Sequence, residues 1–580
     1  MKKVILINIL VFIYHPALWA SETMHFSPVH ITYHKDNSHS ENIQIAPLTH
    51  VEFSIEGVAD QKSVTVYFNQ AVVYKKNQSD QNVSFTTDKK GKYSVSVEVC
   101  DLKNDCRKKK QGDIILYSTS GDGYPQLKRN DKRKNLVPTS NHNVILGYLN
   151  EWDIYARKYD VTKIPIEQLT HVVFSPAAIC APHSRLARHS PSTKKRLDIA
   201  CNNENNFNMV IIDGWAAYTK KLPGITKKLP VKGLFGQLMS LKQTYPNKKI
   251  ILSFGGWELS EPLALMNNPT YRENFVSSVM LFLSNWSFLD GIDIQWIRPS
   301  NTFMQTHNLT NDSLNSAFHL LTSDLRSAFD KNQSKKYELI ASIETSKKQL
   351  NYMDYSVNDD VDYFMLRSFD FHGPWQHRIA HASSLYEFNN LGKNAKLTNP
   401  ASNDYIEYGV KKLIENGVDT KKMILGLPAY GRAWRIPLKN KPSNSIKTKN
   451  MKLPTTELNG IYEPGRIEYK ALADHIAAKE IKPFTNKKIK AAYAINREKG
   501  IFISYDSPYI ARVKSDYVHH LNLAGIGLIS ISGDNGDLIN AISETNNTQN
   551  TIHKSCYFDS YFKCLPSLKK YLTLRVFFKK

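Results

Sequence analysis

Eight short apolar segments between residues 144 and 532 constrain the fold of this chain more than any other feature. In order they are VILGYLN, LTHVVFSPAA, KKIILSFGGW, LDGIDIQWI, YELIASIE, VDYFMLRSFDF, KMILGLPAYGR and GIGLISIS. Longer segments of helical character, such as LFGQLMSLKQTY and YRENFVSSVMLFLSNW, lie between them. Parallel strands that are covered on both faces give such near-continuous apolar runs. The series therefore predicts an α/β fold, a (β/α)8 TIM barrel.

The flanking segments predict further domains. Residues 21–120 contain alternating or β-branched stretches between polar turns, such as SVTVYFNQAVVY and KYSVSVEVCD, and predict an immunoglobulin-like or fibronectin-like sandwich. Residues 121–140 are polar and rich in turn formers, so they predict a linker to a barrel at 141–544. About 435–505 is too long for one crossover and predicts an inserted α+β subdomain. Residues 545–580 predict a basic tail.

The first twenty residues have the layout of a secretory signal peptide. Two lysines precede an apolar run, and Ala20 closes it. A membrane anchor is the weaker interpretation, because the run is short and is interrupted by His15 and Pro16. No later segment predicts a membrane span, and no motif predicts nucleic-acid binding. The formal charge of +23 is spread along the chain and names no partner by itself. We expect a secreted or extracytoplasmic protein.

The six cysteines form three pairs that are local in the sequence. These are Cys100 with Cys106, Cys180 with Cys201, and Cys556 with Cys564. An exported chain meets an oxidising compartment, so we expect disulfides. None of the pairs has further ligands at the spacing of a zinc site, and we expect neither a metal nor another cofactor.

Aromatic residues recur where the predicted barrel strands end. They are Tyr148, Trp152, Trp257, Phe369, Trp375, Tyr430 and Trp434. Packing at the barrel mouth explains any one of these rings as well as ligand binding does. Several rings beside polar groups favour a sugar groove, because the apolar faces of sugars stack on rings while their edges need hydrogen bonds.

Several segments resemble the glycoside hydrolase family 18 chitinases, most closely the bacterial chitinase A type. They include GYLNEWDIYARKYDVTKIPIEQLTH, FGQLMSLKQTYPNKKIILSFGGWELSEP, YELIASI, AYGRAW and DNGDLINAI. The resemblance covers nearly the whole chain except about the last 35 residues. It implies the same layout, a β-sandwich followed by a (β/α)8 barrel with an α+β insertion. It also fits the pairs Cys100 with Cys106 and Cys180 with Cys201.

The fourth strand departs from the pattern of the family it resembles. The family motif is Asp-Gly-x-Asp-x-Asp-x-Glu, and this chain keeps Asp290 and Asp293 but carries Gln295 and Ile297 at the last two carboxylate positions. In the family that glutamate protonates the leaving oxygen, the substrate's own acetamido group attacks the anomeric carbon, and the preceding aspartate stabilises it. Ile297 has no exchangeable proton, and Gln295 has no charge.

Other positions implied by the resemblance are partly altered. Phe369 stands where the family has a tyrosine, Arg367 where it has a methionine and Ile529 where it has a tryptophan, whereas Asp370 is kept. The remaining groove positions carry side chains that suit sugar binding: Tyr148, Trp152, Trp257, Tyr430, Arg432, Tyr462 and Glu463. These five changes in one subsite, beside a preserved barrel, indicate lost catalysis.

Three functions stay open at this point. We expect a catalytically inactive chitinase-like protein that binds chitin or N-acetylglucosamine oligosaccharides, or that serves as a component of a secreted assembly with protein partners. The alternative is an active chitinase in which Asp293, Asp370 or Glu463 has replaced the lost acid. A third possibility is a gene product without a selected function.

Overall fold

A computed structural model describes residues 24–27, 30–35, 39–47, 51–55, 63–77, 82–85, 91–100, 103–117, 124–130, 143–226, 229–351, 353–376, 379–387, 404–436, 458 and 460–548. The chain divides into two compact units. The first comprises residues 1–119 with 228–230, and the second comprises 120–227 with 231–580. The predicted signal peptide, the pair Cys556 and Cys564, and the tail beyond residue 548 lie outside the described residues.

The described residues of the first unit form nine strands in two sheets. They are β1 (Met24–Ser27), β2 (His30–Lys35), β3 (His39–Pro47), β4 (Val51–Ile55), β5 (Ser63–Phe68), β6 (Ala71–Asn77), β7 (Asn82–Phe85), β8 (Gly91–Cys100) and β9 (Cys106–Tyr117). One sheet has the order β1-β4-β7 and the other β2-β3-β9-β8-β5-β6. All pairings are antiparallel except β3 with β9. The prediction of an all-β unit is therefore confirmed.

Two details of the first unit differ from the sequence-based expectation. SVTVYFNQAVVY forms a hairpin, because Asn69 takes a left-handed conformation, with φ at 58°, that asparagine tolerates. β9 begins with a lysine-rich stretch, and this stretch lacks the alternation of apolar and polar residues that predicts a strand. β8 and β9 form another antiparallel hairpin, and the disulfide Cys100–Cys106 joins these two strands, with the two Cα atoms 4.0 Å apart.

In the second unit, the part of the chain that the structure describes forms fifteen strands. They are β10 (Val144–Asn150), β11 (His171–Ile179), β12 (Met209–Ile211), β13 (Lys249–Gly255), β14 (Gly291–Trp296), β15 (Glu338–Glu344), β16 (Tyr363–Arg367), β17 (Met423–Pro428), β18 (Tyr430–Arg435), β19 (Ile461–Glu463), β20 (Arg466–Glu468), β21 (Lys482–Asn486), β22 (Ala491–Asn496), β23 (Ile501–Tyr505) and β24 (Gly525–Ile529). Eight of them are parallel in the order β10-β24-β17-β16-β15-β14-β13-β11, and β10 also pairs with β11. This closes the predicted TIM barrel.

The helices of the second unit lie around the barrel strands, except α9 (Tyr469–Ala477), which packs on the strands of the inserted sheet described below. They are α1 (Ser184–His189), α2 (Pro191–Ala200), α3 (Leu234–Thr244), α4 (Pro269–Asn285), α5 (Asn301–Thr306), α6 (Asn311–Asp330), α7 (Lys347–Leu350), α8 (Ile406–Glu415), α9 (Tyr469–Ala477), α10 (Pro508–His520) and α11 (Asp537–Thr548). Local chemistry sets their starts. Asn268, for example, accepts hydrogen bonds from the first backbone N–H groups of α4, and Pro269 stands at its first position.

The barrel interior is filled by inward side chains of alternate strand residues. Val173, Ile251, Ile340, Met365 and Ile424 come from five different strands and form one buried cluster. Because successive strand residues point to opposite faces, the residues two positions further on must line the same interior. This alternation carries polar side chains of β14, β15 and β16 towards the carboxyl ends of the strands, which form the barrel mouth.

A second sheet follows the seventh barrel strand. Its order is β19-β20-β18-β23-β22-β21, and its strands are antiparallel, with α9 between β20 and β21. β18 starts two residues after β17 ends, so the chain passes from the barrel directly into this sheet. Residues 437–457 and 459 of the predicted insertion lie outside the described part. The domain boundaries themselves stay predictions.

Candidate functional site at the barrel mouth

Asp293 forms the floor of the mouth. Its carboxylate accepts hydrogen bonds from Tyr148 Oη at 3.0 Å, Ser253 Oγ at 2.7 Å and Ser342 Oγ at 2.7 Å. The side chain is fully buried, and burial raises its pKa to about 6 although the three hydroxyl groups pull the pKa down. Tyr148, predicted to contact a ligand, is buried in this network and supports the floor.

Gln295 lies one layer above Asp293 on the same face of β14. Its Nε2 donates to Ser253 Oγ at 2.8 Å and to Ser175 Oγ at 3.4 Å. Its Oε1 accepts from Arg367 Nη1 at 3.1 Å. Both ends of the amide are therefore engaged by protein groups, and a guanidinium lies beside the position that carries a carboxylate in the sequences this chain resembles.

Ile297 comes next and is 6% exposed. Its carbonyl oxygen accepts a hydrogen bond from Ser260 Oγ at 2.9 Å, which fixes the backbone beyond the end of β14. The hydrocarbon side chain offers no proton to any ligand.

Phe369 and Ile529 complete the interior of the mouth with apolar surface. Phe369 belongs to the buried interior cluster and contacts Tyr430 edge to face, with ring centroids 6.4 Å apart. Ile529 packs against the same cluster. The guanidinium of Arg367 lies 5.1 Å from the centroid of the Phe369 ring. The altered positions predicted from the sequence are thus brought together in space.

Asp370 is held by Arg432 and Tyr430. Arg432 donates through Nε at 2.7 Å and Nη2 at 2.6 Å, and Tyr430 Oη donates at 2.7 Å. Burial by itself raises the pKa of Asp370, but these partners outweigh burial and hold the pKa below its ordinary value. The carboxylate is therefore an ionised anchor and a poor proton donor.

Four exposed rings surround the mouth. Trp152, Trp257, Trp375 and Tyr462 are 40%, 52%, 56% and 44% exposed. Arginines lie against three of these rings: Arg185 is 5.8 Å from the ring centroid of Trp257, Arg432 is 5.1 Å from Trp375, and Arg157 is 4.5 Å from Tyr462. Trp434, by contrast, is 1% exposed and belongs to the core.

Glu463 lies next to Tyr462 on the inserted sheet. It is half exposed and accepts a hydrogen bond from Arg466 Nη1 at 2.8 Å. Arg466 in turn lies over the ring of Tyr430, 4.2 Å from its centroid. This chain of contacts connects the insertion to the barrel mouth.

Asp290 is separated from the mouth. It precedes the amino-terminal end of β14, where Lys242 Nζ lies at 2.7 Å and Lys335 Nζ at 3.1 Å from its carboxylate. It also accepts from the backbone N–H of Ile250 at 2.8 Å. These contacts tie the lower ends of neighbouring strands together.

Glu344 is a carboxylate of the mouth that sequence reasoning missed. It is the last residue of β15, and its register partner on β16 is Arg367. The alternation that places Ile340 in the barrel interior places Glu344 on the same face. Counting two residues at a time from the inward positions of each strand would have revealed it.

The remaining expectations concern disulfides, metals and membranes. Cys180 and Cys201 form a disulfide that packs in a small core with α1 and α2, so two of the three predicted pairs are confirmed. Across the residues that the structure describes, no group of three or more His, Cys, Asp or Glu side chains is arranged to hold a metal ion. No helix in the same residues has the length and apolar character needed to cross a membrane.

Comparison with known proteins shows the class of this chain. Residues 144–534 match Glycosyl hydrolases family 18, and residues 22–142 match Chitinase A, N-terminal domain. The chain therefore belongs to glycosyl hydrolase family 18.

Individual relatives agree with this assignment. The chain is 31% identical over 487 residues to Chitinase A of Pseudoalteromonas piscicida, an alignment that covers 79% of this chain and 59% of that protein. This chain thus spans about three fifths of that relative's length. Among solved structures, chitinase ChiA74 from Bacillus thuringiensis has a TM-score of 0.59 at 24% identity, covering 72% of this chain and 71% of that one. Human YKL-39, described as a pseudo-chitinase with retained chitooligosaccharide binding properties, has a TM-score of 0.53 at 21% identity, covering 70% of this chain and 99% of that one.

Proposed function

We propose that this chain binds β-1,4-linked N-acetylglucosamine oligosaccharides at the barrel mouth and has lost the proton donor and the anionic partner that the family carries on β14 for hydrolysis. The observation that carries the proposal is the contact between Arg367 and Gln295, beside Ile297. Together these residues replace the proton donor and the anionic partner of the family reaction with a hydrocarbon, an amide and a cation.

The positive charge of Arg367 disfavours hydrolysis more than the absence of a carboxylate alone would. Positive charge develops on the sugar as the glycosidic bond breaks, and enzymes stabilise it with preorganised negative groups. Arg367 Nη1 lies 3.1 Å from Gln295 Oε1, at the position of that negative group. A guanidinium there opposes the developing charge, so the family's transition state is disfavoured.

The exposed rings support retained binding. Trp152, Trp257, Trp375 and Tyr462 follow strand ends or lie on the inserted sheet and present apolar faces at the mouth. Sugars stack on such faces, and the neighbouring arginines supply hydrogen-bond donors for hydroxyl and acetamido groups. Human YKL-39, a family fold described as keeping chitooligosaccharide binding as a pseudo-chitinase, shows that the two properties are separable in that protein.

Binding is tested by calorimetry with tetra-N-acetylchitotetraose, and cellotetraose serves as the ligand control. We expect Trp257→Ala to weaken binding by about 5–150-fold, since one stacking contact is worth roughly 1–3 kcal/mol. Tyr509→Ala removes a comparably exposed ring on α10 and should leave the affinity unchanged. Equal affinity for both oligosaccharides, or no binding of either, would refute the proposal.

Export and partners complete the proposal. The layout of residues 1–20 supports a secreted protein whose mature chain starts after Ala20. Amino-terminal sequencing of the protein from culture medium tests this, and recovery of an uncleaved chain only from cells would contradict it. A role as a component of a secreted protein assembly is the competing proposal, favoured if oligosaccharide binding fails while co-purifying secreted partners are found.

A further inference from the structure

The carboxylate of Glu344 lies on β15, one strand away from Ile297, the position at which the family carries its proton-donating glutamate. β14 and β15 are parallel, and Gln295 pairs with Ser342 and Trp296 with Ile343. One step further along both strands come Ile297 and Glu344. Ser342 points into the barrel, because its hydroxyl donates to Asp293, so Glu344 two residues later points to the same side. Glu344, the last residue of β15, therefore faces the barrel interior one strand away from the end of β14, which Ile297 directly follows.

The contacts of Glu344 place its carboxylate at the end of β14. It accepts a hydrogen bond from the backbone N–H of Arg298, the residue that follows Ile297. Burial raises the pKa of Glu344 above its ordinary value. The positive charges of Arg367 and Arg185 lower the pKa of Glu344, and the negative charge of Asp370 raises this pKa by a smaller amount.

The other carboxylates near the mouth are less suited to donate a proton. Asp293 lies a layer below and is fully buried under three hydroxyl groups. Asp370 is an ionised partner of Arg432. Glu463 is exposed at the rim and paired with Arg466. The sequence-based nomination of these three residues as a replacement acid therefore has less geometric support than Glu344.

We propose that Glu344 has taken over proton donation from the vacated position on β14, so that this chain hydrolyses bound N-acetylglucosamine oligosaccharides slowly. The Glu344 O–H donates its proton to the bridging oxygen while the bond from that oxygen to the anomeric carbon breaks. The acetamido oxygen of the same sugar attacks the anomeric carbon and forms an oxazolinium ion. Water then adds to the anomeric carbon while the bond from this carbon to the acetamido oxygen breaks, which restores the acetamido group, and the proton released by the water returns to the Glu344 carboxylate.

The proposal rests on the proposed binding function, and it deepens that function by assigning a residue to a slow reaction. The reaction is slow because Arg367 opposes the positive charge of the oxazolinium ion, and Gln295 supplies no negative charge. Removal of the Glu344 carboxyl should nevertheless lower the remaining turnover of a natural oligosaccharide by about 10²–10⁴-fold.

The test measures turnover and binding of the full chain on two substrates. One is tetra-N-acetylchitotetraose, whose leaving alcohol needs a proton, and the other is an aryl N-acetylchitobioside, whose phenolate leaves without one. A Glu344→Gln variant should lose turnover of the tetrasaccharide at unchanged affinity and keep most of its activity on the aryl glycoside. A merely structural role would lower both activities together.

Glu273→Gln, the same change on the outer helix α4, is the matched control and should leave both activities unchanged. A variant Glu344→Gln with wild-type turnover of the tetrasaccharide would overturn the proposal, and so would a wild-type chain that binds the tetrasaccharide without releasing any product. Failure to bind the oligosaccharide at all would instead overturn the proposed function. Circular dichroism of each variant separates these outcomes from misfolding.

Discussion

The two ends of β14 differ in what their side chains do. At the lower end Asp290 accepts from Lys242, Lys335 and the backbone of Ile250, so three separate elements meet at one carboxylate. At the upper end stand Gln295 and Ile297, where the resemblance drawn from the sequence places the last two carboxylates of the family motif. By that resemblance the lower end keeps the residues of the motif, and the upper end departs from them.

This contrast shows that one short motif serves two separate requirements. Asp290 and Asp293 satisfy buried donors that would otherwise cost free energy, so a change there damages the fold. Ile297 supplies no hydrogen bond through its side chain, and its position tolerates a hydrocarbon as long as the barrel stays packed. The upper end can therefore change without damage to the fold, whereas the lower end cannot.

The largest expected effect comes from Asp290→Ala. This change removes the counter-charge of two partly buried lysines, whose Nζ atoms keep only backbone carbonyl acceptors, and the side-chain acceptor of a strand N–H. We expect it to lower the free energy of unfolding by about 3–5 kcal/mol. Urea denaturation followed by tryptophan fluorescence measures it. Gln295→Ala is the control at the upper end and should cost about 1 kcal/mol. If both substitutions lowered the free energy of unfolding equally, the two ends of β14 would not differ in their contribution to stability.

A pH effect sharpens the comparison at Asp293. Burial raises its folded pKa from 3.8 to about 6, so between about pH 4 and 6 the folded protein binds more protons than the unfolded chain. The free energy of unfolding contributed by this group falls as the pH rises through that window, and the penalty is fully present above pH 6. Asp293→Asn lacks this titration. Relative to wild type, its stability should therefore rise by about 2–3 kcal/mol between pH 4 and pH 7. Parallel pH profiles of the two proteins would contradict the raised pKa.

A smaller effect is expected from Arg367→Met, which removes the cation of the upper end. The side chain is partly exposed, so the free energy of unfolding should change by less than about 1 kcal/mol. Turnover of tetra-N-acetylchitotetraose should rise by roughly 3–10-fold, because a charge that opposes the developing cation is gone. Lys412→Met, on α8, is a control for loss of a positive charge. A fall in turnover would show that Arg367 assists the reaction.

The fold was largely predictable because its signals are local and repeated. Eight apolar runs indicated the barrel, and all eight strands are present, although the sixth predicted strand extends over residues 361–371 and the observed strand ends at Arg367. β9 escaped prediction because its lysines obscure the alternation. Sequence position also suggested that Trp434 borders a groove, but tertiary packing between β18 and β23 buries it.

The site was predictable only where a family position could be compared. That comparison found Gln295, Ile297 and Arg367, yet it gave no reason to consider Glu344, which belongs to another strand. The relation between Ile297 and Glu344 depends on the register of β14 with β15, and register is a long-range property that one strand's sequence does not contain.

The smallest effect is expected from the double change Gln295→Asp with Ile297→Glu, which rewrites the upper end to the family motif. Turnover of the tetrasaccharide should rise by less than about threefold, because an aspartate at 295 lies within reach of Arg367 and its charge is neutralised there. Phe369 and Ile529 also remain, so the hydroxyl and the large ring of the family subsite are still missing. Adding Arg367→Met to the double variant removes the cation that neutralises the new aspartate. The resulting change in turnover measures how much this neutralisation limits the double variant. If the double variant alone reached the activity of a family chitinase, the altered surroundings would be irrelevant, and the loss of function would reside in β14 alone.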